Sequence, residues 1–415
     1  MNKDNSKVAP VHAPMDQFQS RDGELLIGGI PISQLAARVG QTPFYAYDRR
    51  VIAEKVSGLR KALPEAIHIH FAMKANPMPV LVNYLAGLVD GLDVASGKEL
   101  RVALDTGIDP DTISFAGPGK ADEELAMAVA STITVNLESE AEMERITRIG
   151  EQLGITPRVA IRVNPDFELK SSGMKMGGGP QQFGVDAERV PDLIRGIQHR
   201  GLEFQGFHIF TGSQNLRPEA ITTAHDNIFE LVQRLLDDAP ARVRKLNIGG
   251  GFGIPYFPGE KPLDLAPVGE RLHEHLARLP DYAPDAEVVV ELGRYLVGES
   301  GVYVSRVREK KVSRGHTFLI SDGGLHHHLA ASGNFGQVIR KNYPAAIGNR
   351  MGQADTELVS VVGPLCTPLD LLANKMALPK AEVGDLVVVY QSGAYGISAS
   401  PRDFLSHPHP VEVLV

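Results

Sequence analysis

Length, composition and charge narrow the kinds of protein that this sequence can encode. The chain has 415 residues, 43% of them hydrophobic and 22% charged, with a formal net charge of −8, which is typical of a soluble globular protein with a large core. The negative charge argues against a nucleic-acid surface, and no apolar run approaches the roughly 20 residues of a membrane span. The single cysteine, Cys366, excludes an intrachain disulfide. Together with the absence of a signal peptide, it predicts a cytoplasmic protein.

The first forty residues predict a tail followed by a strand hairpin. Residues 1–20 are polar and contain Pro10 and Pro14, which indicates disorder. The apolar stretch 24–32 is interrupted by two glycines, which is typical of a hairpin turn. We assign residues 1–40 to this tail and hairpin, and expect them to join a β domain formed later in the chain.

Between residues 41 and 293, short apolar runs alternate with helical patterns. Eight such runs end in turn residues, and helical patterns lie between them, for example at 98–106 and 138–153. This alternation predicts an α/β fold, a (β/α)8 TIM-like barrel. A doubly wound open sheet is the alternative, but it usually has fewer strands. The predicted strands are 68–73, 91–95, 112–116, 133–137, 158–163, 202–210, 243–248 and 286–291.

After residue 293 the pattern changes from alternation to strands. Few helical patterns interrupt this part of the chain, so we predict a C-terminal β domain over residues 294–415. The strand-like runs are 301–308, 316–321, 357–362, 385–391 and 411–415.

Chemically unusual residues cluster where the predicted barrel strands end. In barrels of this kind the chemistry sits at the C-terminal ends of the strands. Lys74 follows the first strand, within FAMKANP at 71–77. A desolvated amine at that place becomes a nucleophile, although a lysine that simply reaches water is the alternative. The other residues at predicted strand ends are Asp93, Arg162, His208, Phe210, Ser213, Gly250, Gly251, Glu291, Gly293 and Arg294.

Taken together, these strand-end residues suit one ligand. Glycine-rich turns such as 249–253 can cradle a phosphate with backbone N–H groups, and an arginine can pair with it. Glu291 can act as a general acid or base, or it can balance Arg294. A lysine for an aldehyde, a carboxylate for a ring nitrogen and a phosphate cradle are what pyridoxal phosphate needs.

Three consecutive histidines, His326, His327 and His328, invite a zinc interpretation. Adjacent residues of a strand point to opposite faces, so they cannot easily share one ion. We therefore predict no metal site in this protein.

Six motifs, in order, resemble those of the fold-type III pyridoxal-phosphate decarboxylases, the ornithine/diaminopimelate/arginine decarboxylase family. The likeness runs from about residue 42 to the C-terminus. The motif that resembles the family's Glu-Pro-Gly-Arg sequence has Leu292 in place of proline. The motifs are FAMKANP (71–77), GFHIFTGSQ (206–214), GGGFG (249–253), ELGRYLV (291–297), GPLCTPLD (363–370) and SGAYG (392–396).

This resemblance implies a role for each matched residue. Lys74 would hold the cofactor and Glu291 would contact its pyridine nitrogen, while Cys366 of the partner subunit would return a proton to the product. The family is a head-to-tail homodimer with active sites shared between subunits. His208 is assigned to catalysis, and Phe210 to stacking on the ring where the family usually has histidine. The remaining cofactor residues are Asp93, Arg162, Ser213, Gly250, Gly251, Gly293, Arg294 and Tyr395, and the substrate residues are Arg294, Thr367, Asp370 and Tyr395.

The resemblance also bears on the substrate. Four segments, GPLCTPLD (363–370), SGAYGISASP (392–401), FLSHP (404–408) and DGGLHHH (322–328), resemble those of a subgroup that decarboxylates glutamyl units tethered to an acyl-carrier protein, and those of decarboxylases encoded beside exosortase systems. The family usually has an acidic residue after its cysteine, where it contacts the distal end of a cationic substrate, but this chain has Thr367. We therefore expect an amino acid with an extended or carrier-linked side chain.

Three alternatives remain open. Diaminopimelate decarboxylation to L-lysine is the first, because the distal end of that substrate is zwitterionic. A racemase is the second. Alanine racemases resemble this barrel architecture, but they contact the pyridine nitrogen with an arginine, whereas this chain has Glu291 at that place. A non-catalytic pyridoxal-phosphate-binding protein is the third, but those resemble a bare barrel without a β domain.

Overall fold

The chain divides into two units, a barrel and a set of β-sheets, in a computed structural model that describes residues 10–167, 174–175, 178–337 and 339–415. The barrel unit comprises Ile52–Gly253 and Leu263–Val297. The β unit comprises the described residues up to Val51, together with Ile254–Pro262 and Gly298–Val415. The β unit thus takes in two stretches, 41–51 and 254–262, that the sequence pattern places in the barrel.

The described strands and helices follow one another along the chain. The strands are β1 (Ser20–Arg21), β2 (Glu24–Ile27), β3 (Ile30–Pro31), β4 (Phe44–Tyr47), β5 (Ile67–Ala72), β6 (Gly91–Val94), β7 (Ile113–Phe115), β8 (Thr134–Leu137), β9 (Arg158–Asn164), β10 (Met174–Lys175), β11 (Val185–Asp186), β12 (Glu203–His208), β13 (Gly212–Ser213), β14 (Lys245–Gly250), β15 (Glu287–Leu292), β16 (Gly301–Ser313), β17 (His316–Ser321), β18 (Ala345–Ile347), β19 (Thr356–Val362), β20 (Leu371–Pro379), β21 (Leu386–Val389) and β22 (Val411–Leu414). The helices are α1 (Ile32–Val39), α2 (Arg49–Ala62), α3 (Pro79–Ala86), α4 (Gly97–Asp105), α5 (Asp122–Ala130), α6 (Glu140–Leu153), α7 (Val190–His199), α8 (Pro218–Asp238), α9 (Ala266–Arg278) and α10 (Arg294–Val297).

The predicted (β/α)8 barrel is confirmed. Its parallel strands pair in the order β5, β6, β7, β8, β9, β12, β14 and β15, and β15 pairs back with β5 to close the sheet. Each of the eight predicted strands overlaps one of these. The strands are buried on both faces, which explains why the sequence shows them as continuous apolar runs rather than as alternating patterns.

Local capping sets where the barrel helices begin. Ser139 precedes α6 and its hydroxyl accepts a hydrogen bond from the Glu142 N–H at 3.1 Å. Gly154 ends the same helix with φ of 66°, a left-handed conformation that glycine adopts without a Cβ clash. Ser96 caps α4 through the Glu99 N–H in the same way. These signals are local, so the sequence pattern predicts the helices well.

Strand register places the candidate residues at one rim of the barrel. Glu291 lies opposite His70 and also opposite Gly250, while Ala72 lies opposite Asp93. Parallel strands bring their C-terminal ends to the same edge. The turns that follow β5, β6, β14 and β15 therefore meet at that edge.

The second unit contains the predicted C-terminal β domain. One sheet has the order β18-β21-β16-β17-β19-β20, and β4 extends it by pairing with both β16 and β22. The sequence pattern misses β4, β18 and β20. The first two are only four and three residues long, so they show no periodicity. The pairing of β4 with β16 also explains why residues 41–51 belong to this unit.

The N-terminal part of the chain packs into the β unit. The predicted hairpin is formed by β2 and β3, and Leu25, Ile27 and Leu35 join a buried cluster with the strands of the sheet. Residues 1–9 lie outside the described residues. The prediction of disorder is wrong for the residues from 10 onward, since Val11 accepts a hydrogen bond from the Gly259 N–H at 2.8 Å. In the described part of the chain, no helix is both long and apolar enough to cross a membrane.

Candidate active site

Lys74 stands at the rim on a short turn after β5. The turn is a single 3-10 turn, Met73–Ala75, and it lifts the lysine clear of the barrel interior. The side chain is 44% exposed, and its Nζ lies 3.6 Å from Glu291 Oε1. The expectation that burial desolvates this amine is therefore wrong in the described chain. Its environment is instead set by a neighbouring carboxylate and by access from solvent.

Glu291 is the buried carboxylate beside this lysine. It is 6% exposed, and its Oε2 lies 2.9 Å from Nε2 of the buried His208. Burial by itself raises the pKa of a carboxyl group, but Lys74 and His208 outweigh it and hold the pKa of Glu291 below its usual value. Glu291 is thus a fixed carboxylate that stays ionised at neutral pH.

Phe210 also lies beside Lys74. The centre of its half-buried ring is 5.2 Å from Lys74 Nζ. His208, two residues earlier, ends β12 and points to Glu291 instead. The sequence analysis separated these two positions in the same way, and the geometry agrees with an aromatic surface next to the lysine.

Two glycine-containing segments approach each other at the rim: 212–213, which forms β13, and 249–251, at the end of β14. Gly251 has φ of 70°, and a Cβ there would lie 2.1 Å from the Gly212 carbonyl oxygen. A Cβ on Gly250 would lie 2.2 Å from the Glu291 carbonyl oxygen. Only glycine fits such approaches. The segments at 212–213 and 249–251 therefore form one close-packed backbone surface, the glycine cradle, of a kind that can bind a phosphate through its N–H groups.

Gly293 brings a third segment to the same rim. A Cβ at this position would lie 2.8 Å from the Ala75 Cβ and 3.0 Å from the Ala72 carbonyl oxygen. Arg294 follows it at the start of α10. The Leu292 that replaces the family's proline ends β15 and is buried. Close packing between Gly293 and the Lys74 turn positions the start of α10 beside the lysine.

Asp93 and Arg162 lie near the C-terminal ends of β6 and β9, each in its own hydrogen-bonded group. Asp93 Oδ1 accepts from Ser114 Oγ at 2.6 Å and lies 3.3 Å from His70 Nδ1. Arg162 donates to Glu138 Oε1 at 2.8 Å. Both residues are buried, so they shape the wall of the site rather than its open surface.

Glu138 is a site residue that the sequence analysis missed. It directly follows β8 and is 7% exposed. Besides Arg162, its carboxylate accepts from the N–H groups of Gly117, at 2.6 Å, and Gly184, at 2.9 Å. It therefore ties three rim loops together. The available signal was an acidic residue directly after the fourth predicted strand, 133–137, for which no rim residue was proposed.

The other predicted residues lie on the β unit. Cys366 is exposed and Thr367 is half-buried. Tyr395 is half-buried with φ of 52°, a left-handed conformation that is uncommon for a non-glycine residue and is found preferentially at functional sites.

Asp370 is buried and bound by backbone groups. Its side chain is 3% exposed, and its two oxygens accept from the N–H groups of Leu325, at 2.7 Å, and Leu365, at 2.8 Å. Burial raises the pKa of this carboxyl group, against the lowering effect of these bonds. The geometry disagrees with its predicted substrate contact, because Asp370 holds two loops in place and has no face open to solvent.

The three histidines lie in a turn after β17, not on a strand as the sequence analysis assumed. All three are buried. His327 Nε2 lies 2.9 Å from the Pro408 carbonyl oxygen, and His328 Nε2 lies 2.9 Å from Ser392 Oγ. The N–H groups of both residues donate to the Gly324 carbonyl. His327 and His328 thus act as internal hydrogen-bonding groups of the β unit.

The residues of the rim fit pyridoxal phosphate. An accessible lysine, an ionised buried carboxylate, a flanking aromatic ring and a cradle that a single Cβ would fill are present together on the barrel. Lys74 would hold the cofactor, Glu291 its ring nitrogen, and the segments at 212–213 and 249–251 its phosphate.

Comparison with known proteins agrees with this geometry. Residues 49–298 match the family model described as pyridoxal-dependent decarboxylase, pyridoxal binding domain. The chain is 39% identical over 382 residues to L-glutamyl-[BtrI acyl-carrier protein] decarboxylase of Niallia circulans, covering 90% of this chain and 89% of that protein. It is 34% identical to diaminopimelate decarboxylase of Aquifex aeolicus, with coverage of 96% and 92%.

A solved structure shows the same likeness. Diaminopimelate decarboxylase of Helicobacter pylori, a mutant complexed with L-lysine, superimposes with a TM-score of 0.81 at 28% identity, and the match covers 92% of this chain and 94% of that one. The predicted pyridoxal-phosphate cofactor and carboxy-lyase class are confirmed by these relatives. The barrel with its lysine, carboxylate and glycine cradle therefore belongs to the pyridoxal-dependent decarboxylases.

Proposed function

We propose that this decarboxylase removes the α-carboxylate of an amino acid whose side chain is linked to an acyl-carrier protein, a glutamyl conjugate being the first candidate. The observation that carries the proposal is the cysteine loop, GPLCTPLD, in which Thr367 stands where the family usually has an acidic residue. The relative from Niallia circulans, whose name specifies a carrier-bound glutamyl substrate, supports it.

The barrel residues account for the chemical step. When bound, the cofactor supplies an electron sink for the pair left behind as carbon dioxide departs. Lys74 would hold the cofactor covalently, and its side chain is 44% exposed, so a substrate amine could reach it. Glu291 would keep a proton on the ring nitrogen of the bound cofactor, because a buried ionised carboxylate stabilises a neighbouring cation. His208 orients Glu291 through their hydrogen bond.

Residues on the β unit complete the proposal. By the family resemblance, Cys366 of the partner subunit returns a proton to the product, and Tyr395 joins the cofactor and substrate contacts. We accordingly propose a homodimer with shared active sites. We also propose a cytoplasmic location, in which the exposed Cys366 thiol stays reduced.

The cysteine loop disfavours a free diamino acid. A distal ammonium that enters the site loses water and needs an ion pair to offset that cost. Thr367 carries no charge. Asp370, the one carboxylate in the motif, is buried and uses both oxygens to bind backbone N–H groups. The loop therefore has no carboxylate open to a cationic side chain.

Diaminopimelate is the second candidate. It is favoured by the Aquifex aeolicus and Helicobacter pylori relatives. The distal end of diaminopimelate carries both an ammonium and a carboxylate, so its binding depends less on one acidic residue of the enzyme. An arginine such as Arg294 could contact its distal carboxylate.

The test compares substrates by kcat/KM for carbon dioxide release. Ornithine, lysine and diaminopimelate are assayed against a glutamyl-carrier conjugate, and we expect the conjugate to exceed each free diamino acid by about tenfold or more. Efficient turnover of a free diamino acid, together with none of the conjugate, would overturn the proposal.

A further inference from the structure

A pocket of about 410 Å³ lies within the β unit and is lined by basic and amide side chains. Its wall contains two prolines together with His12, Arg340, Lys341, Asn342 and Asn374. None of these described lining residues is acidic, although the chain as a whole carries a net charge of −8. The volume falls in the range of roughly 300–1,000 Å³ that is typical of small-molecule sites.

Arg340 is the half-buried cation of this pocket. Its Nη2 donates to the Leu371 carbonyl, while its Nε is buried and has no hydrogen-bond partner among the described residues. Burial lowers the pKa of the guanidinium, and within the described chain no carboxylate pairs with it. A half-buried cation with an unused donor carries a desolvation cost that a bound anion would offset.

Lys341 adds a second positive charge. The residue is exposed, and its Nζ lies 5.6 Å from the centre of the Phe257 ring. No carboxylate of the described residues forms an ion pair with it. Two neighbouring cations with no acidic partner raise the local potential, which attracts anions.

The wall around these cations is held by hydrogen bonds between side chains and the backbone. Asn342 Nδ2 donates to the Asn374 carbonyl at 2.8 Å, and Asn342 Oδ1 accepts from the Asn374 N–H at 2.9 Å. His12 Nε2 donates to the Asn342 carbonyl at 2.8 Å. The N-terminal segment, the 340–342 segment and β20 are thereby tied together, so the basic side chains project from a fixed backbone. Such preorganisation reduces the cost of binding.

We infer that this pocket is an anion site that takes a phosphate ester. A guanidinium and an ammonium match phosphate oxygens in charge and donor geometry. The volume is more than ten times the roughly 30 Å³ share of a water molecule in the liquid, which leaves room for an organic group beside the phosphate. One source of such an ester is the phosphopantetheine arm of an acyl-carrier protein, since the arm that holds a carrier-linked substrate contains a phosphodiester. This source, the carrier arm, rests on the proposed function. Free phosphate is the other source of the same chemistry.

The test measures binding to the holoenzyme, in which the cofactor's own phosphate already fills the barrel cradle. Phosphopantetheine, pantetheine and inorganic phosphate are titrated by calorimetry into the wild type, Arg340→Gln and Lys311→Gln. Lys311 is an exposed residue of β16, so its variant makes the same change in charge away from the pocket. We expect phosphopantetheine to bind the wild type and Lys311→Gln equally, and Arg340→Gln about tenfold or more weakly. Pantetheine should not bind.

The other outcomes distinguish free phosphate from the carrier arm and test whether the site exists. Inorganic phosphate that binds as tightly as phosphopantetheine would assign the pocket to free phosphate and reject the carrier arm. Absence of binding by either phosphate, or equal binding to Arg340→Gln and wild type, would overturn the site. A matching melting temperature for Arg340→Gln shows that the variant is folded. The proposed function is judged separately, because turnover of the glutamyl-carrier conjugate can fail while phosphate binding remains.

Discussion

Glu291 Oε2 and His208 Nε2 lie 2.9 Å apart in a hydrogen bond that is closed to solvent. The bond leaves Glu291 Oε1 directed to Lys74. The carboxylate is thus fixed on one side by an imidazole and on the other by an ammonium. This arrangement holds a negative charge on Glu291 at the rim of the barrel, beside Lys74.

Glu291→Gln should still bind pyridoxal phosphate but decarboxylate more slowly, by about 10²–10³-fold. A neutral amide cannot keep a proton on the ring nitrogen, so the electron sink weakens. Steady-state carbon dioxide release measures the loss. Glu287→Gln is the matched control, because Glu287 is exposed at the opposite end of the same strand. An unchanged rate in Glu291→Gln would remove this role.

Lys74→Ala should lose the absorbance of the lysine-bound cofactor together with activity. Lys74 is the only rim lysine of the described chain beside Glu291, and the nucleophile cannot be replaced by alanine. Absorbance spectra before and after borohydride, followed by peptide mapping, check this. Lys98→Ala, on the exposed face of α4, should behave as wild type. A borohydride-fixed adduct on another lysine of the wild type would refute the assignment.

Phe210→Leu should weaken pyridoxal-phosphate binding several-fold, since loss of ring stacking costs about 0.5–1.5 kcal/mol. The half-buried ring lies 5.2 Å from Lys74 Nζ, where the cofactor ring would be held. Fluorescence titration of the apoenzyme gives the Kd. Phe204→Leu is the comparison, because Phe204 packs edge-on against Phe207 near the start of β12. Equal affinities for wild type and Phe210→Leu would place Phe210 outside the cofactor site.

The stability of the β unit should fall in mild acid because His328 is buried in its neutral form. Its Nε2–H donates to Ser392 Oγ, while its Nδ1 accepts from the Ala331 N–H at 3.2 Å. Both ring nitrogens are therefore occupied, and protonation of Nδ1 would break the second bond. Burial lowers the pKa of His328 to about 3, whereas a histidine of an unfolded chain titrates near about 6.5.

Between these two pKa values the unfolded state binds more protons, so stability is fully present above about pH 6.5 and is lost as the pH falls toward about 3. The loss is at most about 1.4 kcal/mol per pH unit for this histidine. Urea midpoints measured from pH 7 to 4.5 should fall less steeply for His328→Gln than for wild type. His273→Gln, an exposed histidine of α9, should keep the wild-type slope. Identical slopes for His328→Gln and wild type would contradict the prediction.

The sequence by itself determined the barrel and the position of its lysine. Strands buried on both faces are continuous apolar runs, and each ends in turn residues, so eight strands could be counted directly. The rule that chemistry gathers at strand ends then selected Lys74, Glu291, His208 and the glycine turns. Each of these is a local property of the chain, readable within a few residues.

Only the tertiary structure decided which polar groups pair across the fold. Glu138 with Arg162, and Asp370 with the Leu325 and Leu365 amides, join residues distant in sequence. The histidine turn and strand β4 depend in the same way on partners elsewhere in the chain. Local patterns encode periodicity and caps, whereas hydrogen-bond partners and burial are fixed only when strands close into sheets. For that reason Asp370, which was predicted to contact substrate, instead links two loops of the β unit. Arg340, for which no role was predicted, lines a pocket.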